Sequence, residues 1–250
     1  MAITLAHPAA IIPLKRLAAK GYLSFSALVV GSMIPDIGYL APYRETVTFT
    51  HTIWGALGVG IPIGLITLWI FHNILKRPLL SLLPTSYQKQ FIKSPPFDLW
   101  PLSKLTIIII SIAIGVLTHI FWDGFTHGRG WAVVSTPFLT QHLFQFFDLK
   151  VRTYYLVKHG SSTLGLTIVL YGLLQHFQTV SGWRLDLGIS LKTIIFLTIL
   201  GIGTVVGLTS YIIGYAQTKN IVGGSIMFIF LCLIVTSLIR WVYIKQVQLD

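Results

Sequence analysis

The stretch LTIIIISIAIGVLTHIFWDGF, residues 105–125, limits what this chain can become more than any other. A bilayer's hydrocarbon core is about 30 Å thick and is crossed by roughly 20 apolar residues in a helix. The stretch meets that length, yet it ends in His119 and Asp123, with His127 following, each four residues from the next. Ionisable groups at such a place are costly unless they face one another, a wet cavity or an ion. The fold must therefore give these side chains a common polar destination.

The rest of the chain is of the same kind. It is 54% hydrophobic and 10% charged, where soluble domains carry about a quarter charged residues. Residues 52–75, 193–214 and 222–244 form further apolar runs, and 162–177, continuing to 180, forms a shorter one. The segments LAHPAAIIPLKRLAAKGY and SFSALVVGSMIPDIGYLA are marginal for a full crossing. They read as a short helical hairpin over residues 5–40, turned near Gly21. Pro35 is expected to break its second helix near Asp36, because proline has no backbone N–H to donate. The expected fold is an all-α polytopic membrane bundle, a short hairpin plus about five transmembrane helices. Residues 1–180 would form one unit, with spans 52–75, 105–125 and 162–180, and residues 181–250 would add two C-terminal spans. The proline-rich stretch 76–104 and the aromatic stretch 128–160 read as loops, the second suited to a membrane interface.

The net charge of +11 comes from 18 Lys and Arg against 7 Asp and Glu. No basic block is interleaved with aromatics, so nucleic acid is not an expected partner. The basic residues lie between apolar runs, twelve on one face of the bundle and six on the other. The richer face is expected to be cytoplasmic, and with it the C-terminus. MAITLAHPAA lacks a basic leader region, so targeting is expected to rest on the internal spans. Cys232, the only cysteine, lies in an apolar run and makes no disulfide framework.

Helix direction then gathers the polar residues. His7 opens the first short helix, Asp36 closes the second, His51 opens the next span, and His119 and Asp123 close the one after. In an antiparallel bundle those positions share one rim, the non-cytoplasmic one by the charge count. Residues four apart on a helix share a face, so His119 and Asp123 point together, and His127 joins them if the helix continues past Gly124. Histidine with carboxylate is the donor set for zinc and other divalent ions. Alternatively the carboxylate orients the histidine from behind. His72, His142 and His176 carry no such company and read as interfacial or packed.

LAHPAAIIPLKRL, ALVVGSMIPDIGYL, FTHTIWG and THIFWDGFTHGRGW together resemble, in order, the motifs of an uncharacterised bacterial membrane family. That family is related to the LexA-regulated, membrane-bound metal-dependent hydrolases and, more distantly, to zinc-dependent phospholipase C. The resemblance covers the first two-thirds of the chain. It implies metal-ligand roles for His7, Asp36, His51, His119 and Asp123, with Thr52 standing where the family has serine. KHGSSTLG resembles a later segment of the narrower family and adds His159.

The expected function is that of a membrane-embedded metal-dependent hydrolase, with zinc as the expected ion. The expected substrate is a phosphoester of a lipid or lipid-linked molecule. Asp36 or Asp123 would serve as general base, and Arg129 is a candidate phosphate contact. The competing expectations are an ion- or proton-translocating protein and a non-catalytic protein with a structural metal. The expected place is a bacterial inner membrane.

Overall fold

The structure is a computed structural model that describes residues 4–40, 44–80, 97–146 and 149–181. The expected spans 193–214 and 222–244 lie outside the described residues, as does the middle of the 76–104 stretch.

The hairpin forms. Its first arm is a 3-10 helix, Thr4–Leu14, followed by the short helix α1, Lys15–Ala19. Gly21, at φ +81, makes the turn in a region that side-chain-bearing residues avoid. Ser24 caps the second arm, α2 (Phe25–Met33), by accepting the Ala27 N–H. The α-helix ends at Met33, just before Pro35, as expected. With no N–H to return to the α ladder, the chain tightens into a 3-10 helix, Ile34–Leu40, and carries Asp36 in its first turn.

A short helix not foreseen in the sequence, α3 (Arg44–Thr50), precedes His51. Thr52 then caps α4 (Ile53–Gly58), and α5 (Gly60–Ile70) and a π turn, Phe71–Leu75, continue the line. Helix α6 (Lys76–Leu80) extends it into the expected loop. Helix α7, Leu102–Thr126, contains the 105–125 stretch.

The 128–160 stretch is not a loop. Gly130 sits against the carbonyl of Gly124 and turns the chain back, so that Trp131 covers Gly124. There follow α8 (Trp131–Ser135), α9 (Pro137–Thr140) and an antiparallel hairpin of β1 (His142–Phe146) with β2 (Leu149–Arg152). Helix α10 begins at Thr153, earlier than expected, and runs to Ser181. The described chain is thus mostly helical with one small β-hairpin. Two helical stretches, Ile53–Leu75 and Leu102–Ser135, are long and apolar enough to cross a membrane.

The crossing of α2 and α7 sets everything downstream. A Cβ on Gly31 would run into the backbone of Ile112, and one on Gly115 into the backbone of Leu28 and Ser32. Only glycine permits this approach, the small-residue packing that helices in lipid use. The Ser24 N–H donates to Ser111 Oγ at 2.8 Å and pins the start of α2 to α7. Ala27, Ala56, Leu68, Ile108, Ile112 and Val116 fill the core around the crossing.

Candidate metal centre

Five segments deliver six ionisable side chains to one place. The 3-10 arms bring His7 and Asp36, the α3–α4 turn brings His51, and α7 brings His119 and Asp123. Helix α7 ends at Thr126, so His127 sits just beyond it in extended conformation. It still reaches Asp123, with Nδ1 3.3 Å from Oδ2.

Asp123 Oδ2 is also 3.3 Å from His51 Nε2 and 3.4 Å from His119 Nε2. Asp36 Oδ1 faces the same two nitrogens at 3.5 and 3.6 Å. His7 Nε2 lies 3.7 Å from Asp123 Oδ1, and its ring stacks on His119 at 3.9 Å. These separations exceed the usual N–H···O range of about 2.7–3.2 Å. In agreement, Nε2 of His7, His51 and His119 and Oδ2 of Asp123 have no hydrogen-bond partner among the described residues. Buried polar atoms almost always have one.

The outer contacts explain what these atoms want. His119 Nδ1 is 2.7 Å from the Ser32 carbonyl oxygen, and His51 Nδ1 is 2.8 Å from the Val47 carbonyl oxygen. A carbonyl only accepts, so Nδ1 carries the proton in both rings. In the neutral rings each Nε2 therefore presents a lone pair to two carboxylates. Lone pairs facing carboxylates repel unless a proton or a cation stands between them. Histidine fixed through its far nitrogen is the arrangement that orients a metal ligand. Thr4 Oγ1 donates to Asp36 Oδ2 at 2.5 Å and Thr126 Oγ1 to Asp123 Oδ1 at 3.3 Å, so each carboxylate keeps its other oxygen for the centre.

One ligand atom each from Asp36, His51, His119 and Asp123 lies within 4.8 Å of the others, and this group can hold a metal ion. The four N···O separations of 3.3–3.6 Å suit a tetrahedral ion. With bonds of about 2.0–2.2 Å its ligands stand about 3.3–3.6 Å apart.

Without an ion the charges balance by proton uptake. Burial disfavours a charged His51, but the carboxylates of Asp123 and Asp36 outweigh it and lift the ring to about 10. His7 goes the other way, to about 4, through burial and the neighbouring His119. A neutral His7 therefore backs a charged His51.

His159 is exposed on α10 and contacts neither carboxylate in any described interaction. His72 stacks on Phe97 at 4.5 Å, and His142 lies in β1. The residues that sequence did not single out are Thr4, Thr126, and Ser32 and Val47, which act through backbone carbonyls. Gly31 and Gly115 are the readable signal, because small residues on two apolar helices mark where backbones touch.

A domain family of unknown function, DUF4184, matches residues 1–247. The chain belongs to that family. No curated protein and no solved structure matches it. The cluster of this DUF4184 chain must therefore speak for its own chemistry.

Proposed function

We propose that this protein is a membrane-embedded metal-dependent hydrolase that cleaves a phosphoester of a lipid or lipid-linked substrate. One observation carries the reading. Two carboxylates and two histidines converge with N···O separations that suit a tetrahedral ion, and His51 Nε2, His119 Nε2 and Asp123 Oδ2 are unpartnered among the described residues. Zinc fits that donor set and spacing. The relation to membrane-bound metal-dependent hydrolases, suggested by the motif order around His7, Asp36, His51, His119 and Asp123, points the same way. In this reading the chain is a bundle of about five spans in a bacterial inner membrane. Its C-terminus is cytoplasmic and its metal centre lies on the opposite rim.

A zinc ion lowers the pKa of a water it holds to about 7 and so supplies a nucleophile at neutral pH. The protein's own groups divide the remaining work. Asp36 and Asp123 are committed to the ion position, which removes them as general base. That role passes to His127, whose side chain is 27% exposed, the most open of the cluster, with an unpartnered Nε2. Arg129, exposed in the turn after His127, is placed to pair with a phosphate. His7, buried and stacked on the ligand His119, forms the dry wall behind.

A second reading has its own support. Four protein donors already complete a tetrahedron, which is the mark of a structural zinc site. One experiment separates the two. The full chain, reconstituted with zinc in phosphatidylglycerol vesicles, should release water-soluble phosphate ester. A chelator should stop the release, and Asp123→Asn should abolish it. A chain that holds its zinc and releases nothing from phospholipids or lipid-linked phosphoesters is structural.

A further inference from the structure

The metal centre is closed on one side and open on the other. The side chains of His119 and His7 are 0% and 2% exposed, whereas those of His51 and His127 are 19% and 27% exposed. A ligand from outside therefore reaches the cluster past His51 and His127. One further side chain stands at this mouth. Tyr39, itself 40% exposed, meets the His51 ring edge-on at 6.0 Å, and the His127 ring lies 6.3 Å from that same ring.

Two features fix Tyr39 there. It belongs to the 3-10 arm Ile34–Leu40, three residues after Asp36. A 3-10 helix has three residues per turn, so the two side chains stand one above the other. Gly38 holds this arm flush against α3, because a Cβ there would lie 3.0 Å from Val47 Cα and run into Thr50 Oγ1. Helix α3 is also the element whose Val47 carbonyl oxygen fixes His51 through Nδ1. One packing contact thus sets Tyr39 and His51 relative to each other.

The mouth needs a donor, and Tyr39 is one. Ionised Asp36 and Asp123 only accept. The Nδ1 protons of His51 and His119 are committed to backbone carbonyls, and with an ion in place both Nε2 atoms face the ion. None of the four ligands then turns an N–H or O–H towards an incoming anion. A phenol keeps its proton at neutral pH in any ordinary setting, and here burial and the charges of Asp36 and Asp123 reinforce that. Zinc held by four ligands can add a fifth.

We propose that Tyr39 donates its O–H to a phosphoryl oxygen of a phosphate or phosphoester bound at the Asp36–His51–His119–Asp123 cation. The identity of the ligand rests on the hydrolase reading, and Tyr39 is the residue that selects phosphoryl oxygens for it. During turnover the same hydrogen bond tightens as charge builds on those oxygens.

The test uses the full chain in detergent, loaded with cobalt(II), whose visible absorption reports its ligands. Inorganic phosphate and dihexanoyl phosphatidylglycerol are titrated separately. Imidazole, a neutral ligand with no acceptor oxygen, is the control. Tyr39→Phe keeps the ring and its edge contact with His51. It should hold cobalt with the parent's spectrum and bind imidazole as the parent does. It should bind phosphate at least about tenfold more weakly, the size of a lost hydrogen bond to a charged group. An equal loss for phosphatidylglycerol assigns the position to a lipid headgroup, and a loss for phosphate alone assigns it to free phosphate; both uphold the donor. Unchanged phosphate affinity in Tyr39→Phe, an equal loss for imidazole, or loss of the cobalt itself overturns the proposal, as does a parent that binds no cobalt or no phosphate. The hydrolase reading fails separately, when the zinc-loaded parent binds phosphate through Tyr39 yet cleaves no phosphatidylglycerol. A parent that cleaves it, with Tyr39→Phe cleaving equally well, keeps the hydrolase and removes Tyr39.

Discussion

Gly115→Ala should weaken metal binding although residue 115 touches no ligand. A Cβ there would lie 2.7 Å from the Ser32 nitrogen and 2.9 Å from the Gly31 carbonyl carbon, against 3.4 Å where ordinary contact begins. The Leu28 carbonyl oxygen would be nearer still, so α2 and α7 must part by about 1 Å, a forced shift of the kind that costs about 1–3 kcal/mol in a packed core. The same movement stretches the 2.7 Å contact between His119 Nδ1 and the Ser32 oxygen to about 3.7 Å, beyond hydrogen-bond range. The ring then loses the contact that fixes its proton and aims Nε2. Losing such an outer contact typically lowers metal affinity 10–100-fold, or about 1.4–2.7 kcal/mol. Competition against a chromophoric zinc chelator measures the affinity, and circular dichroism checks that the helices persist. Gly172→Ala is the control, since a Cβ on Gly172 meets nothing within 4 Å. It should leave zinc affinity unchanged and add about 0.5–1 kcal/mol of stability. If Gly115→Ala binds zinc as tightly as the parent with its helices intact, the link from crossing to ligand is wrong.

Metal uptake should be pH-dependent, because a bound ion must displace the proton that the carboxylates hold on His51, lifted to about 10. Zinc affinity should rise about tenfold per pH unit from neutrality towards that value, and a flat profile would count against the assignment. The metal-free chain should behave oppositely. A raised folded pKa stabilises fully below the unfolded 6.5 and is lost as pH rises through about 10. The apo melting temperature should therefore fall across that window, and a rise would contradict the pairing. Thr4→Val removes the donor to Asp36 Oδ2. Its loss should cost about 1.5–3 kcal/mol in chemical denaturation and leave one ion bound per chain; an unchanged midpoint would mean the arm is not held there. His127→Gln should keep the ion and lower kcat well over tenfold with little change in KM, while an equal kcat would return the base role to another group.

Much of the site was legible because polar residues are so scarce in this sequence. In an apolar chain, His7, Asp36, His51, His119 and Asp123 stand out, and helix direction alone puts them on one rim. The spacing of His119 and Asp123 gave their shared face, and the structure adds His127 from just beyond the helix end. The unread parts have physical causes. Backbone carbonyls at Ser32 and Val47 leave no trace in side-chain chemistry. Pro35 marks the end of the α-helix as read, but the 3-10 helix that carries the chain on past it was not foreseen, because a 3-10 turn tolerates a missing donor. The 128–160 stretch looked like a loop because its two complete helices are only four or five residues long, too short to show a period, and only the first turns of α10 fall inside it.

The central claim is that Asp36, His51, His119 and Asp123 hold one cation, and the most direct measurement is metal per chain. Full-length protein would be loaded with zinc, stripped of excess and assayed by inductively coupled plasma mass spectrometry beside Asp36→Asn/Asp123→Asn. The account predicts one ion per chain in the parent and none in the variant at equal helix content. A parent without metal, or a variant that binds as much as the parent, would contradict it.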